Sequence, residues 1–180
     1  MLLRGPQVES AKDAMLGFLF RRLTAEPAKG EALFAALTAE ARRRAWYVEG
    51  RLPDTIDGRF AVLSTVCALA LVRLEQEGEA GDRASITLTE RFITVMESEH
   101  REFGLGDPGL GRTVRKLVGM LARRTELWRA AVAGEADWAA ATRDSLNQVE
   151  VSGEAASMLK RLWQRLAAKS VTELQEGIVE

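Results

Sequence analysis

The chain contains 180 residues, of which 47% are hydrophobic, and it carries a formal net charge of −1. This length favours one domain and is sufficient to bury a sizeable core without disulfides or a structural metal. Because the charges balance, the composition gives no general affinity for nucleic acid or membranes, and direct DNA binding is not expected.

The N-terminus and the cysteine content favour the cytoplasm. The run Met1–Leu3 is followed at once by Arg4-Gly5-Pro6, and no apolar segment with a signal-peptide cleavage site comes after it. The single cysteine, Cys67, cannot form an intramolecular disulfide, which is typical of a reducing compartment. We therefore expect a cytoplasmic protein.

Helical patterns begin near the N-terminus. A capping motif and an apolar stripe predict a first helix over residues 10–23. A second helix is predicted over residues 31–45. Asp57 is predicted to cap a third, central helix over about 57–77, which Gly78 ends.

The central helix contains the most hydrophobic run of the chain. Residues 60–72 are apolar except for Ser64 and Thr65. This run is shorter than the roughly 20 residues that cross a bilayer, so we interpret it as a buried core helix. A helix lying in a membrane interface is the alternative, because the run has no polar face to present to water.

Helices are also predicted throughout the second half. Thr87 and Glu90 form a capping box that predicts a helix start. Further helices are predicted over 108–133, 135–149 and, at the C-terminus, 154–177. The sequence thus predicts an all-α, single-domain bundle of about seven helices, formed by residues 1–180 around a buried central helix.

Residues capable of catalysis or metal binding are few. Gly104–Gly109 matches G-x-G-x-x-G, but the predicted helix before it and Pro108 within it favour a helix–helix turn. One histidine, His100, and one cysteine, Cys67, cannot form a typical zinc site. We predict no catalytic residue, no metal and no cofactor.

A basic stripe marks the helix predicted over 108–133. Four cations share the face opposite its apolar side, with Gly119 among them: Arg112, Arg115, Lys116 and Arg123. Two interpretations remain open. The stripe binds phosphates or an acidic partner helix, or it is the charged face that any surface helix needs.

A second candidate surface combines cations with aromatic rings. Arg42–Arg44 precede Trp46 and Tyr47, and Arg51 follows them. Arginine with aromatic side chains is common at partner surfaces, whereas cations also suit the C-terminus of a helix. The sequence leaves open whether the two rings face a partner or the core.

Four segments, in this order, resemble one family. Trp46–Phe60 has an aromatic pair, a Pro-Asp-Thr turn and an Asp-Gly-Arg-Phe helix start, and the apolar helix continues to Leu74. The acidic segment Met96–Asp107 and the basic segment Gly111–Leu117 follow. Together they are similar to the ubiquinol–cytochrome c chaperones over about residues 30–150.

This resemblance implies a non-enzymatic factor that binds newly made cytochrome b and assists the assembly of ubiquinol–cytochrome c reductase, respiratory complex III. It also implies contact with the ribosome and leaves open a peripheral position at the inner face of the membrane. The partner-binding hypothesis includes seven residues: Trp46, Tyr47, Arg51, Arg112, Arg115, Lys116 and Arg123.

The chain departs from the family pattern at three places. Val66 replaces a frequent histidine, Ala61 replaces an acidic residue, and Leu121–Arg124 replaces a Tyr-Gly-Arg motif. These departures motivate an alternative, which is a helical interaction or regulatory protein without a cytochrome client.

Overall fold

The computed structural model describes residues 31–102 and 107–180, and this part of the chain contains helices and no strand. The eight helices are α1 (Glu31–Ala41), α2 (Ala45–Val48), α3 (Ile56–Glu75), α4 (Gly78–Glu102), α5 (Asp107–Val132), α6 (Trp138–Ser145), α7 (Gly153–Ala167) and α8 (Val171–Gln175). The predicted all-α bundle is confirmed. The helix predicted over 10–23 lies outside the described residues. So do residues 104–106 of the predicted helix–helix turn at Gly104–Gly109, whereas residues 107–109 belong to α5.

Helix α3 is the buried centre of the bundle. From Ser64 to Leu74 every side chain is buried, and α1, α4, α5 and α7 all pack against the helix. An apolar surface on all sides of a helix must be covered on all sides. The core interpretation of this helix is therefore confirmed. Among the described helices, none is long and apolar enough to cross a membrane.

The start of α3 corrects one prediction. The N-cap is Thr55, whose hydroxyl oxygen accepts a 3.1 Å hydrogen bond from the Gly58 amide, whereas Asp57 lies in the first turn. The prediction that Asp57 caps the helix was therefore wrong by two residues. Asp57 still places a negative charge where the helix dipole is positive.

The connection from α3 to α4 is tighter than the sequence indicated. Gly78 adopts a φ of 59°, and α4 begins there rather than at Thr87. The Thr87 hydroxyl donates to the Arg83 carbonyl within the helix, so the predicted capping box was wrong. Gly81 lies inside α4. This position requires glycine, because a Cβ there would overlap the Leu74 carbonyl oxygen.

A buried polar cluster joins three helices. The Ser145 hydroxyl lies 2.7 Å from that of Thr65 on α3 and accepts a 2.9 Å hydrogen bond from Trp128 Nε1 on α5. Arg124 Nε donates to the Ser145 carbonyl at 2.8 Å. Because these hydrogen bonds run from Ser145 to both neighbouring helices, they fix the end of α6 against α3 and α5. We call these four residues the Ser145 cluster.

The C-terminal helices are held by arginine side chains and serine caps. Arg73 on α3 donates from Nε to the Leu166 carbonyl and from Nη2 to the Lys169 carbonyl, at 3.2 and 2.7 Å. Ser152 caps α7, and Ser170 forms a capping box with Glu173 at the start of α8. The two Arg73 bonds tie α3 to the C-terminal end of α7, where the Leu166 carbonyl also accepts from the Lys169 amide at 3.2 Å.

The Ser145 cluster makes a prediction about stability. The change Ser145→Ala removes the acceptor of the buried Trp128 Nε1, and an unsatisfied buried donor costs about 1–3 kcal/mol. We expect urea denaturation to show a free energy of unfolding lower by that amount. Ser157→Ala is the control, because the Ser157 hydroxyl is exposed and bonds only the Gly153 carbonyl. Equal stability of the two variants would contradict the importance of the cluster.

Candidate partner-binding surfaces

Trp46 belongs to the core. Its side chain is fully buried, and its Nε1 donates a 2.9 Å hydrogen bond to the Glu40 carbonyl. The interpretation of Trp46 as part of an exposed partner-binding surface was therefore wrong. An indole buries a large apolar area once its single N–H finds an acceptor, and the end of α1 supplies one.

Tyr47 is half-buried and leaves part of its ring accessible. Its hydroxyl donates to the Ala41 carbonyl at 3.0 Å, and the Arg59 guanidinium lies 5.9 Å from its ring centroid. Arg59 in turn pairs with Asp54 at 2.6 Å. Burial raises the pKa of Tyr47, and the hydrogen bond from Arg59 lowers the pKa of Asp54. The ring is thus held in one position beside an ion pair at the surface.

The turn after α2 has a demanding backbone. Gly50 is buried, and a Cβ there would overlap the Trp46 carbonyl oxygen. Arg51 follows with a φ of 55°, a left-handed conformation that few residues with side chains adopt. The side chain of Arg51 is exposed, as the partner-binding hypothesis requires.

Exposed apolar side chains surround this turn. Val48 is 51% exposed at the end of α2, and Ile56 is 76% exposed at the start of α3. Val149, 92% exposed, lies three residues before Ser152, whose hydroxyl donates to the Gly50 carbonyl at 2.9 Å, so the segment that carries Val149 is attached to this turn. We call Tyr47, Val48, Arg51, Ile56 and Val149 the loop surface.

Sequence reasoning missed three members of the loop surface. Ile56 follows the Thr55 cap immediately, so it is the first helical residue and extends beyond the core. Correct placement of the cap would have identified it. Val48 and Val149 gave no such signal, because scattered single apolar residues are common at protein surfaces. Only the Ser152–Gly50 hydrogen bond links the two segments.

The basic stripe is exposed along α5. Arg112, Arg115, Lys116 and Arg123 are all exposed, and none has an ion pair with another described residue. The opposite face of α5 buries Leu117, Leu121 and Trp128, as predicted. Whether the stripe binds a partner stays a prediction.

The residue next to the stripe is an unexpected buried cation. Arg124 is 4% exposed, and its guanidinium carbon lies 5.9 Å from the centroid of the Phe60 ring. Burial, and then the neighbouring charge of Arg123, lower the pKa of Arg124. The sequence Arg123-Arg124 reads as one basic cluster, yet a rotation of about 100° per residue places the two side chains in different environments.

The described residues show no group of three or more His, Cys, Asp or Glu side chains that could hold a metal ion. The side chain of His100 lies outside this description. Cys67 is fully buried, as predicted for a core residue.

A surface cavity of about 410 Å³ lies between α1 and the C-terminal tail, and the carboxylate at its edge, Glu40, is held by Arg43 and Arg165.

Comparison with known families decides the relationship. The family model described as ubiquinol-cytochrome C chaperone matches residues 48–159. The chain belongs to the ubiquinol-cytochrome C chaperone family. The matched region begins in α2 and ends within α7, so it contains the turn after α2, α3, the Ser145 cluster and the basic stripe. The predicted membership of this family is thereby confirmed.

A solved structure supports the same relationship. This member of the chaperone family is similar to the crystal structure of the Cbp3 homolog from Brucella abortus, with 25% identity and a TM-score of 0.71. The similarity covers 91% of this chain and 93% of that chain. No curated protein matches the chain.

The family departures at Ala61 and Val66 are core substitutions in this chaperone. The two side chains are 2% and 0% exposed. Both side chains therefore face the interior of the bundle, and neither belongs to the exposed loop surface.

The glycines of the two surfaces give opposite predictions for stability. Gly50→Ala forces a Cβ against the Trp46 carbonyl, so we expect a loss of about 1–3 kcal/mol in the free energy of unfolding. Gly119→Ala adds a Cβ in open space within a helix, so we expect a gain of up to about 1 kcal/mol. Chemical denaturation of the two variants measures both, and a loss at both positions would contradict the described packing.

The buried thiol makes a further prediction. Burial raises the pKa of Cys67 to about 12, so the reactive thiolate is absent from the folded protein near neutral pH. We expect labelling by a thiol reagent to be slow in buffer and fast in denaturant. Rapid labelling of the folded protein would show that α3 is accessible to solvent.

Proposed function

We propose that this protein binds a newly made cytochrome b-type subunit and holds it for the assembly of ubiquinol–cytochrome c reductase. The observation that carries the proposal is the loop surface, where Val48, Ile56 and Val149 are exposed within the family-matched region. A client with membrane-spanning segments presents apolar side chains before insertion, and an apolar surface rimmed by polar residues is suited to cover them.

The exposed arginines at and near the loop surface favour binding of the client while it is still at the ribosome. Arg51 is exposed beside the turn, and Arg42–Arg44 lie exposed at the end of α1. None of these four arginines except Arg43 has an ion pair among the described residues. Unpaired cations next to apolar side chains favour a position near the phosphates of ribosomal RNA. Contact with the ribosome is therefore included in the proposal.

The loop surface is held rigid by its attachments. The Gly50 carbonyl is bonded to Ser152, the Tyr47 hydroxyl to Ala41, and Trp46 fills the core beneath. A pre-formed surface loses little conformational entropy on binding, which increases the affinity that a small apolar area can give. This role requires binding and release of the client, and it requires no catalytic residue.

Deletion of the gene tests the proposal. We expect membranes of the deletion strain to lose b-type haem in reduced-minus-oxidised spectra and to lose ubiquinol–cytochrome c reductase activity. Normal haem spectra with full activity would rule the proposal out. That result would favour the alternative of a helical interaction protein without a cytochrome client.

Complementation with surface variants identifies the client-binding residues. We expect the double change Val48→Asp and Ile56→Asp to leave haem at the level of the deletion strain, because two charges remove the apolar surface. Ile86→Asp is the matched control, since Ile86 is 58% exposed on α4, away from the turn. Full complementation by the double variant at normal protein levels would contradict the role of the loop surface.

A further inference from the structure

The basic stripe of α5 places four cations on one helix face, whereas several arginines of other helices are paired with carboxylates. On α4, Arg83 pairs with Glu79, and on α7, Arg161 pairs with Glu154. At the end of α5 itself, Arg129 pairs with Glu75 and Glu126. The four cations of the stripe have no such partner in the described structure. These four exposed side chains are therefore accessible to an anionic partner.

The geometry of the stripe is linear and narrow. At 100° per residue, its four cations lie within an arc of about 100° on the helix surface. Arg112 and Arg123 are separated by about 16 Å along the axis at 1.5 Å per residue. A partner can contact all four cations at once if its negative charges lie along a straight line with the same spacing as the cations.

Gly119 narrows the choice of partner. It is exposed at the centre of the stripe, and a Cβ there would meet no atom within 4 Å, so packing within the chain does not require a glycine. A missing side chain between cations allows the backbone of a second helix to approach closely. Phosphates of RNA or lipid gain nothing from this space, because amides in mid-helix already donate to carbonyls within the helix.

The remaining surface of α5 also argues against a membrane. Among the residues of α5 whose side chains the structure describes, 111–112 and 114–132, no large hydrophobic side chain is exposed. Helices that lie in a membrane interface normally insert large apolar side chains. The aromatic residue of α5, Trp128, is fully buried and cannot stack on nucleic-acid bases.

We propose that the basic stripe binds an acidic helix of a partner protein, with Gly119 at the point of closest approach. The partner helix has carboxylates on one face at intervals of three or four residues, opposite Arg112, Arg115, Lys116 and Arg123, and a small residue opposite Gly119. The stripe shares no residue with the loop surface, and the inference does not depend on the identity of the client.

Two synthetic peptides test this proposal. Both are alanine-rich helices of equal length and equal charge, one with four glutamates on a single face around a central glycine, the other with four glutamates distributed around the helix. We expect fluorescence anisotropy at physiological ionic strength to show about tenfold tighter binding of the first peptide. Equal binding of both peptides would show that only net charge matters and would overturn the proposal.

Variants of the protein locate the binding. Arg112→Glu with Lys116→Glu is expected to abolish binding of the first peptide. The matched control, Arg143→Glu with Lys160→Glu, reverses two exposed cations on other helices and is expected to leave binding unchanged. Gly119→Leu retains every charge and fits open space, so we expect it to weaken binding about tenfold without lowering the unfolding midpoint.

Competing partners are tested in parallel. Vesicles of phosphatidylcholine with phosphatidylglycerol, and single-stranded polyuridylate, replace the peptide in the same assay. Binding of either one that is lost in the Arg112→Glu, Lys116→Glu variant but unaffected by Gly119→Leu would overturn the proposal in favour of phosphate recognition. Unchanged peptide binding by Gly119→Leu would likewise overturn it, because close helix approach would then play no part.

Discussion

The architecture depends on the complete burial of α3. A helix without a polar face is stable only when other helices cover it, and α1, α4, α5 and α7 all do so. Apolar packing alone leaves the rotation and axial position of such a helix weakly determined. The Ser145 cluster adds the missing specificity, because the Thr65 hydroxyl has its partner in one position only. The cluster therefore determines where α5 and α6 lie, and with them the basic stripe.

The fold class and the core could be predicted from the sequence because they depend on interactions between residues that are close together in the chain. Hydrophobic periodicity, glycines and capping residues gave an all-α bundle, and the run at 60–72 could not remain in water. Boundaries were less predictable. The Thr87 and Glu90 pair has the pattern of a capping box, but α4 is already helical from Gly78, and the Thr87 hydroxyl bonds the Arg83 carbonyl within it. The four-residue pattern itself does not show whether the chain before it is already helical.

In the candidate surfaces, too, features set by local helical spacing could be predicted, and features set by contacts with other parts of the chain could not. The stripe was visible because helical spacing alone places its cations on one face. Trp46 was misinterpreted because an aromatic residue next to arginines fits both a surface and a core, and the deciding Glu40 carbonyl lies six residues away. Val149 was not found because its place beside the turn depends on a hydrogen bond between Ser152 and Gly50, which are 102 residues apart.

The adjacent side chains of Arg123 and Arg124 have a consequence for the evolution of α5. Arg124 bonds the Ser145 carbonyl within the core, while Arg123 is exposed with the other cations. One inserted or deleted residue between Lys116 and Arg123 would turn these two side chains by about 100° relative to the first half of the stripe. Such a change would turn Arg123 away from the other three cations of the stripe, or it would withdraw Arg124 from the Ser145 cluster. The length of this helical segment is therefore under stronger constraint than its individual surface residues, and homologues should accommodate insertions outside residues 107–132 instead.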